Sequence, residues 1–137
     1  MARMTAGGCA ACLGRWPSPD QHLAELDLSV AYLNEDQFFP GWTVLVLKRH
    51  ATELFELSAP ERAGLIEEVS TVARALAVAF DAMKVNYAFL GNQLPHMHWH
   101  LVPRRADDPA PREAIWAVPH ESRQLSAAER DARLGAI

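Results

Sequence analysis

The feature that most constrains this chain is a stretch in which histidine and apolar residues alternate. From position 96 to position 101 the residues are His96, Met97, His98, Trp99, His100 and Leu101. Successive side chains of a β-strand point to opposite faces, so an extended conformation places the three imidazoles on one face and the apolar side chains on the other. Pro95 and Pro103 stand near the two ends and disfavour a helix. The alternation therefore predicts a strand with one buried apolar face and one face that carries histidines.

Three imidazoles on one strand face indicate chemistry more than packing. Imidazole adds little to strand stability, and it costs free energy when it is buried without hydrogen-bond partners. The neutral ring is a common metal ligand, and it is also a nucleophile and proton-transfer group near neutral pH. The residues alone leave both a metal site and a nucleophilic site open.

The charge and hydropathy patterns argue against a nucleic-acid polymer or a membrane as partner. The formal net charge is −4 and no long basic stripe is present, so a nucleotide partner should be small. No apolar run approaches the length that spans a bilayer, and the first residues lack an uninterrupted apolar signal core. We therefore expect a cytoplasmic protein with a single domain over residues 1–137, an N-terminal segment at 1–20 and a C-terminal tail at 106–137.

Both cysteines of the chain lie in one Cys-x-x-Cys pair, Cys9 and Cys12. In a reducing compartment such a pair is a metal clip, a redox pair or two incidental thiols. The flanking residues do not have the thioredoxin-like pattern that a redox pair requires. A zinc clip needs two more ligands from elsewhere in the chain, so the clip and the incidental thiols both stay open.

Hydrophobic patterning predicts an α+β domain with an antiparallel sheet. Apolar or alternating runs predict strands at about 26–33, 43–49, 85–90 and 96–105, with a short loop at 91–95. Ser58 and Glu61 have the spacing of a capping box, and apolar residues three and four positions apart continue a helix from Pro60 to about Met83. The tail has a second, more polar helical pattern at 125–134. Two hairpins with one long helix are typical of the α+β class.

The histidine stretch resembles the signature of the histidine-triad (HIT) family, nucleotide hydrolases and transferases that act on an α-phosphate. The matching pattern is His-apolar-His-apolar-His-apolar-apolar followed by Pro-Arg, over residues 96–104. The likeness covers roughly residues 24–105 together with the cysteine pair, as in bacterial members. It implies a sheet of about five antiparallel strands with one long helix and a shorter one, and a homodimer formed through the long helix and an edge strand.

The resemblance also implies roles for individual side chains. His98, the middle histidine, is expected to attack the α-phosphate through Nε2, and a hydrogen bond from its Nδ1–H to a backbone carbonyl would fix the tautomer that this requires. His100 is expected to bind a phosphate oxygen and to help protonate the leaving group. Asn34 matches an asparagine that contacts the ribose, and Asn92 and Gln93 lie in the loop expected beneath the phosphates.

Some relatives hold a structural zinc with a Cys-x-x-Cys pair and two histidines. In this sequence the corresponding ligands are Cys9, Cys12, His50 and His96. A closed site of two cysteines and two histidines is tetrahedral and not catalytic, so the ion would anchor the N-terminal segment and brace the histidine strand. The resemblance implies no organic cofactor.

The sequence departs from the family pattern near the expected phosphate site. Trp42 stands where many members have a histidine after Pro-Gly, and Gln93 stands where many have a serine or threonine. Trp116, in the tail, is a candidate for the wall of the substrate pocket in its own or a partner subunit.

We expect hydrolysis of a small nucleotide such as a dinucleoside polyphosphate or a nucleoside phosphoramidate. Three alternatives stay open. The first is a nucleotidyltransferase or phosphorylase that uses the same His98 intermediate. The second is a catalytic metal site built on the triad histidines, and the third is a module that binds nucleotides without turnover.

Overall fold

A computed structural model describes residues 6–137, so residues 1–5 of the predicted N-terminal segment and domain lie outside the described residues. Within these residues the chain forms the strands β1 (His22–Glu25), β2 (Ser29–Leu33), β3 (Thr43–Leu47), β4 (Lys84–Ala88) and β5 (His98–Arg104), and the helices α1 (Ala59–Ala79) and α2 (Ala127–Ala136). The predicted α+β class, with a five-stranded antiparallel sheet, one long helix and a shorter one, is confirmed. None of the described helices is long and apolar enough to cross a bilayer.

The order of strands places the histidine strand inside the sheet. The sheet runs β1-β2-β3-β5-β4, and each neighbouring pair is antiparallel. In the register between β3 and β5, Val46 is opposite His98 and Val44 is opposite His100. Both histidines therefore lie on one face of the sheet, each beside a buried valine of the neighbouring strand.

Helix α1 covers the opposite face of the sheet. Its stripe of apolar residues packs against apolar residues of the interior strands in one cluster: Val69, Val72, Leu76, Ala31, Leu45 and Leu101. The helix begins with the predicted capping box, because Ser58 Oγ accepts from the Glu61 amide at 3.2 Å and the Glu61 carboxylate accepts from the Ser58 amide at 2.9 Å. The apolar face of β5 thus packs in the core, while the face that carries His98 and His100 stays available for a site.

The strand predicted at 26–33 is confirmed from Ser29, where β2 begins, but residues 26–28 form a tight turn between β1 and β2. The Leu26 amide donates to the Ser29 carbonyl at 2.9 Å and closes the turn. Glu68 of α1 stabilises it by accepting from the Leu28 amide at 3.0 Å and from Ser29 Oγ at 2.6 Å. Local alternation could not show this, since the residue that holds the turn lies about forty positions away in sequence.

The predicted end of α1 at Met83 is also too late. The helix ends at Ala79, and Asp81 adopts the left-handed region with φ of 48°. Apolar spacing continues past the end because Phe80 packs against the core below the helix. The aromatic ring of Phe80 also lies 2.7 Å from where a Cβ on Gly41 would be, so that position, with φ of 89°, requires glycine.

Candidate active site and metal centre

His98 and His100 line a cavity of about 620 Å³. Their ring centroids are 5.1 Å apart, with the rings edge to face. The other walls come from three tryptophans, one asparagine and the loop before β5: Trp16, Trp42, Trp116, Asn34 and residues 90–94. Both histidines lie on an interior strand of the sheet, and the cavity gives their rings access to a ligand of small-molecule size.

His98 is held in one tautomer by the backbone. Its Nδ1 lies 2.7 Å from the carbonyl oxygen of His96. A carbonyl oxygen only accepts, so Nδ1 carries the proton and Nε2 is left with a lone pair. The rings of Trp16 and His98 lie edge to face, with centroids 5.1 Å apart. Burial lowers the pKa of His98, although the hydrogen bond to the carbonyl partly opposes this. The ring is therefore neutral at physiological pH and unprotonated at Nε2.

His100 has a side chain as its partner. The indole Nε1–H of Trp42 donates to His100 Nδ1 at 3.0 Å. Trp116 contacts the same imidazole edge to face, with centroids 5.0 Å apart. Burial, and then the repulsion between the protonated forms of His98 and His100, lower the pKa of His100 to about 4, so this ring is also neutral at pH 7.

The structure brings the predicted substrate-binding residues to the same cavity. Asn34, Asn92 and Gln93 all line it together with the two histidines. Asn34 follows β2, and its amide side chain donates to the Asp36 carbonyl at 3.3 Å. The loop that contains Asn92 and Gln93 begins at Gly91, whose φ of 79° turns the chain toward β5.

His96 does not share the cavity with the other two histidines. The strand begins only at His98, and a bend at His96 is closed by its amide, which donates to the Leu94 carbonyl at 2.8 Å. The expected row of three imidazoles on one strand face is therefore wrong in its first member. The ring of His96 lies instead beside the sulfur atoms of Cys9 and Cys12.

Cys9, Cys12, His50 and His96 form a cluster whose four ligand atoms all lie within 4.8 Å of one another. His96 Nε2 donates to the Leu47 carbonyl at 2.7 Å, which leaves Nδ1 unprotonated. That Nδ1 is 3.3 Å from Cys9 Sγ, 3.5 Å from Cys12 Sγ and 3.3 Å from His50 Nδ1. Both cysteines are free thiols.

The three distances from His96 Nδ1 are close to those between the ligands of a tetrahedral ion. With Zn–S bonds of about 2.3 Å and Zn–N bonds of about 2.0–2.1 Å, a tetrahedral zinc holds its ligand atoms about 3.3–3.8 Å apart. Four protein ligands leave no open position for water or substrate, so such a centre would be structural. The residues present could therefore hold the predicted zinc.

Two further residues position the site, and sequence reasoning missed the first. Gln37 is fully buried, and its amide donates to the carbonyls of Asn34 at 2.9 Å and Trp42 at 2.8 Å and accepts from the Gly41 amide at 3.0 Å. It thereby fixes the loop that carries Asn34 and Trp42. A polar residue in a polar loop gave no signal, because all these partners are main-chain groups.

The second is Arg104, at the end of β5. Its buried guanidinium binds both carboxylate oxygens of Asp108, at 2.6 and 3.0 Å, and the Asn86 side chain at 2.9 Å. It also donates to the carbonyls of Ala110 and Glu113. These bonds attach the loop that leads to Trp116, so the position of Trp116 against the His100 ring depends on them. The sequence showed Arg104 only as part of the triad pattern.

Comparisons with known proteins find one family model and two curated relatives. The family model for the HIT domain matches residues 16–107. Bis(5'-nucleosyl)-tetraphosphatase (asymmetrical) of Schizosaccharomyces pombe is 24% identical over 108 residues, which are 75% of this chain and 59% of that protein. The adenosine 5'-monophosphoramidase of the same yeast is 28% identical over 87 residues, 63% of this chain and 65% of the relative. The chain thus spans less than two thirds of the length of both curated relatives.

Solved structures are similar over most of the chain. A histidine triad protein of Bradyrhizobium japonicum superposes with a TM-score of 0.77 at 33% identity, covering 84% of this chain and 85% of that one. A histidine triad protein of Sinorhizobium meliloti gives a TM-score of 0.77 at 29% identity, covering 84% of each chain.

Proposed function

Because the chain belongs to the HIT domain family, we propose that it is a hydrolase of small nucleotides in which His98 attacks an α-phosphate. The observation that carries the proposal is the bond between His98 Nδ1 and the His96 carbonyl. It leaves the Nε2 lone pair of a neutral ring as the nucleophile in a cavity of nucleotide size.

The proposed reaction has two steps. First, His98 Nε2 forms a bond to the α-phosphorus while the bond to the leaving group breaks, and the leaving group takes a proton from solvent. Water then attacks the phosphorus, the P–N bond breaks, and a nucleoside monophosphate leaves. A group with a pKa of about 4 is a neutral ring at pH 7, so we assign to His100 a hydrogen bond to a phosphate oxygen and not the supply of that proton.

The proposed substrates are dinucleoside polyphosphates or nucleoside phosphoramidates. The two curated relatives are named as a bis(5'-nucleosyl)-tetraphosphatase and an adenosine 5'-monophosphoramidase, and both names describe the cleavage of a small nucleotide. Asn34, Asn92 and Gln93 are proposed to bind the ribose and phosphates from the cavity walls.

Replacing the nucleophile tests this function. His98→Ala should lower kcat on adenosine phosphoramidate and diadenosine tetraphosphate by about 10³-fold or more, with nucleotide binding retained in calorimetry. His22→Ala, which removes an exposed histidine of β1, is the matched control and should keep wild-type activity. Activity of His98→Ala within a few-fold of wild type would refute the assignment. Tight binding without turnover by the wild type would favour a non-catalytic module, and transfer to added phosphate or sugar phosphate would favour a transferase.

We also propose that the four-residue cluster holds a structural zinc in a reducing cytoplasm, where its thiols stay available. The donor set and its spacing support this.

A homodimer is proposed as well, because exposed apolar side chains lie at the end of α1 and along the edge strand β4. Val78 is 77% exposed, Met83 65% and Tyr87 51%. Light scattering on the purified protein should give twice the chain mass, and a monomer at micromolar concentration would count against the dimer.

A further inference from the structure

Trp42 makes a hydrogen bond that constrains the chemistry of His100. Its Nε1 lies 3.0 Å from His100 Nδ1, and an indole N–H can donate but never accept. His100 Nδ1 must therefore be the acceptor and cannot carry a proton while this bond exists. A neutral imidazole holds one proton, so that proton must be on Nε2.

We propose that Trp42 is a positioning residue that locks His100 as the Nε2–H tautomer, so that His100 acts as a fixed hydrogen-bond donor to the substrate phosphate. The catalytic half of this statement rests on the proposed function. The tautomer itself does not, because it follows from the contact between the two side chains.

The hydrogen bond from Trp42 gives His100 the opposite tautomer to that of His98. His98 has its proton on Nδ1, because its partner is the His96 carbonyl. His100 has its proton on Nε2, because its partner is an N–H group. Neighbouring rings with centroids 5.1 Å apart thus offer a lone pair on one Nε2 and a donor on the other. Attack on a phosphorus and stabilisation of the charge that develops on its oxygens require one of each.

The donor is itself held rigidly. Trp42 is 8% exposed, its amide donates to the Phe39 carbonyl at 3.1 Å, and its carbonyl accepts from the Asn34 amide and the Gln37 side chain, both at 2.8 Å. The ring of Trp116 packs on its indole with centroids 5.4 Å apart. A histidine at position 42 could donate or accept, and it would leave the His100 tautomer free to change with its own. Tryptophan removes that ambiguity.

The simpler interpretation is that Trp42 only fills space, since it belongs to a buried cluster with Phe39, Val102 and Ile115. Phenylalanine would also fill most of that space, but it offers no donor. Trp42→Phe therefore separates the two interpretations. Trp99→Phe is the matched control, because Trp99 lies on the same strand as His100 in the opposite orientation and its buried Nε1 has no hydrogen-bond partner within residues 6–137.

Long-range ¹H–¹⁵N correlation spectra of histidine-labelled protein report the protonated nitrogen of each ring, and the His100 signals are identified by their loss in His100→Gln. Wild-type His100 should show a protonated Nε2 and an unprotonated, hydrogen-bonded Nδ1. In Trp42→Phe the signals should move toward a mixture of tautomers, and kcat should fall about tenfold with little change in KM, as expected for one hydrogen bond that matters in the transition state. Trp99→Phe should leave both unchanged.

A wild-type His100 protonated on Nδ1 would overturn the proposal without any variant. An unchanged tautomer in Trp42→Phe, or a changed tautomer with unchanged kcat, would overturn it as well. Full activity of His98→Ala together with the Nε2–H tautomer of His100 would instead refute the proposed function and leave the structural assignment intact.

Discussion

At the scale of single residues, each triad histidine has one ring nitrogen bound to a partner that fixes its tautomer. The Leu47 carbonyl binds His96 Nε2, the His96 carbonyl binds His98 Nδ1, and the Trp42 indole binds His100 Nδ1. We propose that three chemically identical side chains thereby take three different roles: a metal ligand beside two cysteines, a nucleophile and a fixed hydrogen-bond donor. Spacing along the strand brings only His98 and His100 to one cavity, and the hydrogen-bond partner of each of the three rings fixes its tautomer.

A fourth histidine, His120, is a residue whose charge should stabilise the fold. Its Nε2 contacts the Asp36 carboxylate and its Nδ1 contacts the Val118 carbonyl, both at 2.8 Å. Both partners only accept, so both bonds form only with the protonated ring. The bond to Asp36, followed by the bond to Val118, raises the pKa of His120 above its ordinary 6.5.

The sign of the pH dependence follows from that shift. A pKa that is higher in the folded state gives a stabilisation that is complete below 6.5 and is lost as the pH rises through the folded-state value. In urea unfolding, the stability difference between wild type and His120→Gln should be about 1 kcal/mol or less at pH 6 and should shrink by pH 9. A difference for His120→Gln that grows toward pH 9 would contradict this account.

At the scale of structural elements, the loop after β5 is attached to the sheet through one buried ion pair. The side chains of Arg104 and Asp108 are 2% and 4% exposed. Arg104→Met would leave the Asp108 carboxylate buried without its partner, so we expect a loss of about 3–5 kcal/mol in the free energy of unfolding.

The neighbouring pair provides a control for this prediction. Arg105 Nε lies 3.2 Å from Asp107 Oδ1, but the side chains of this pair are 39% and 72% exposed. Arg105→Met should therefore cost no more than about 1 kcal/mol in the same urea titration. Equal losses in the two variants would show that burial of the Arg104 pair has no special importance.

The elements that could be predicted are those whose signals are local. The capping box and the apolar spacing placed α1, and the alternation of histidine with apolar residues placed β5. The turn between β1 and β2 could not be predicted, because Glu68, which stabilises it, is distant in sequence. The bend at His96 could not be predicted either, because the residues around that ring, Cys9, Cys12 and His50, come from distant parts of the chain. Gln37 could not be identified for a different reason: its side chain bonds to main-chain groups of its own loop, and such groups leave no pattern in the sequence.

At the scale of the whole molecule, the proposed zinc centre joins the N-terminal segment to the sheet. Cys9 and Cys12 come from that segment, His50 follows β3, and His96 precedes β5. The carbonyl of His96 also holds the tautomer of His98, so a metal at the cluster would brace the active site without taking part in the reaction. Sequence alone supplied the ligand set only through the family resemblance, since the first and last ligands are 87 residues apart.

Metal removal tests this arrangement. Elemental analysis of protein purified without chelators should give about one zinc per chain. Stripping the metal should lower the Tm by at least ~5 °C, and adding zinc back should restore it. Cys12→Ser should show the lower Tm with or without added zinc. Less than about one-tenth of a zinc per chain in the untreated protein would argue decisively against the centre.

The covalent intermediate on His98 is the most direct test of the proposed mechanism. Wild-type protein mixed with excess adenosine phosphoramidate and quenched in alkali, in which a P–N bond to histidine survives, should gain the mass of one adenylyl group. Peptide mapping should place this group on His98, and His98→Ala should gain nothing. Rapid turnover without any adduct, or an adduct that persists in His98→Ala, would contradict the mechanism.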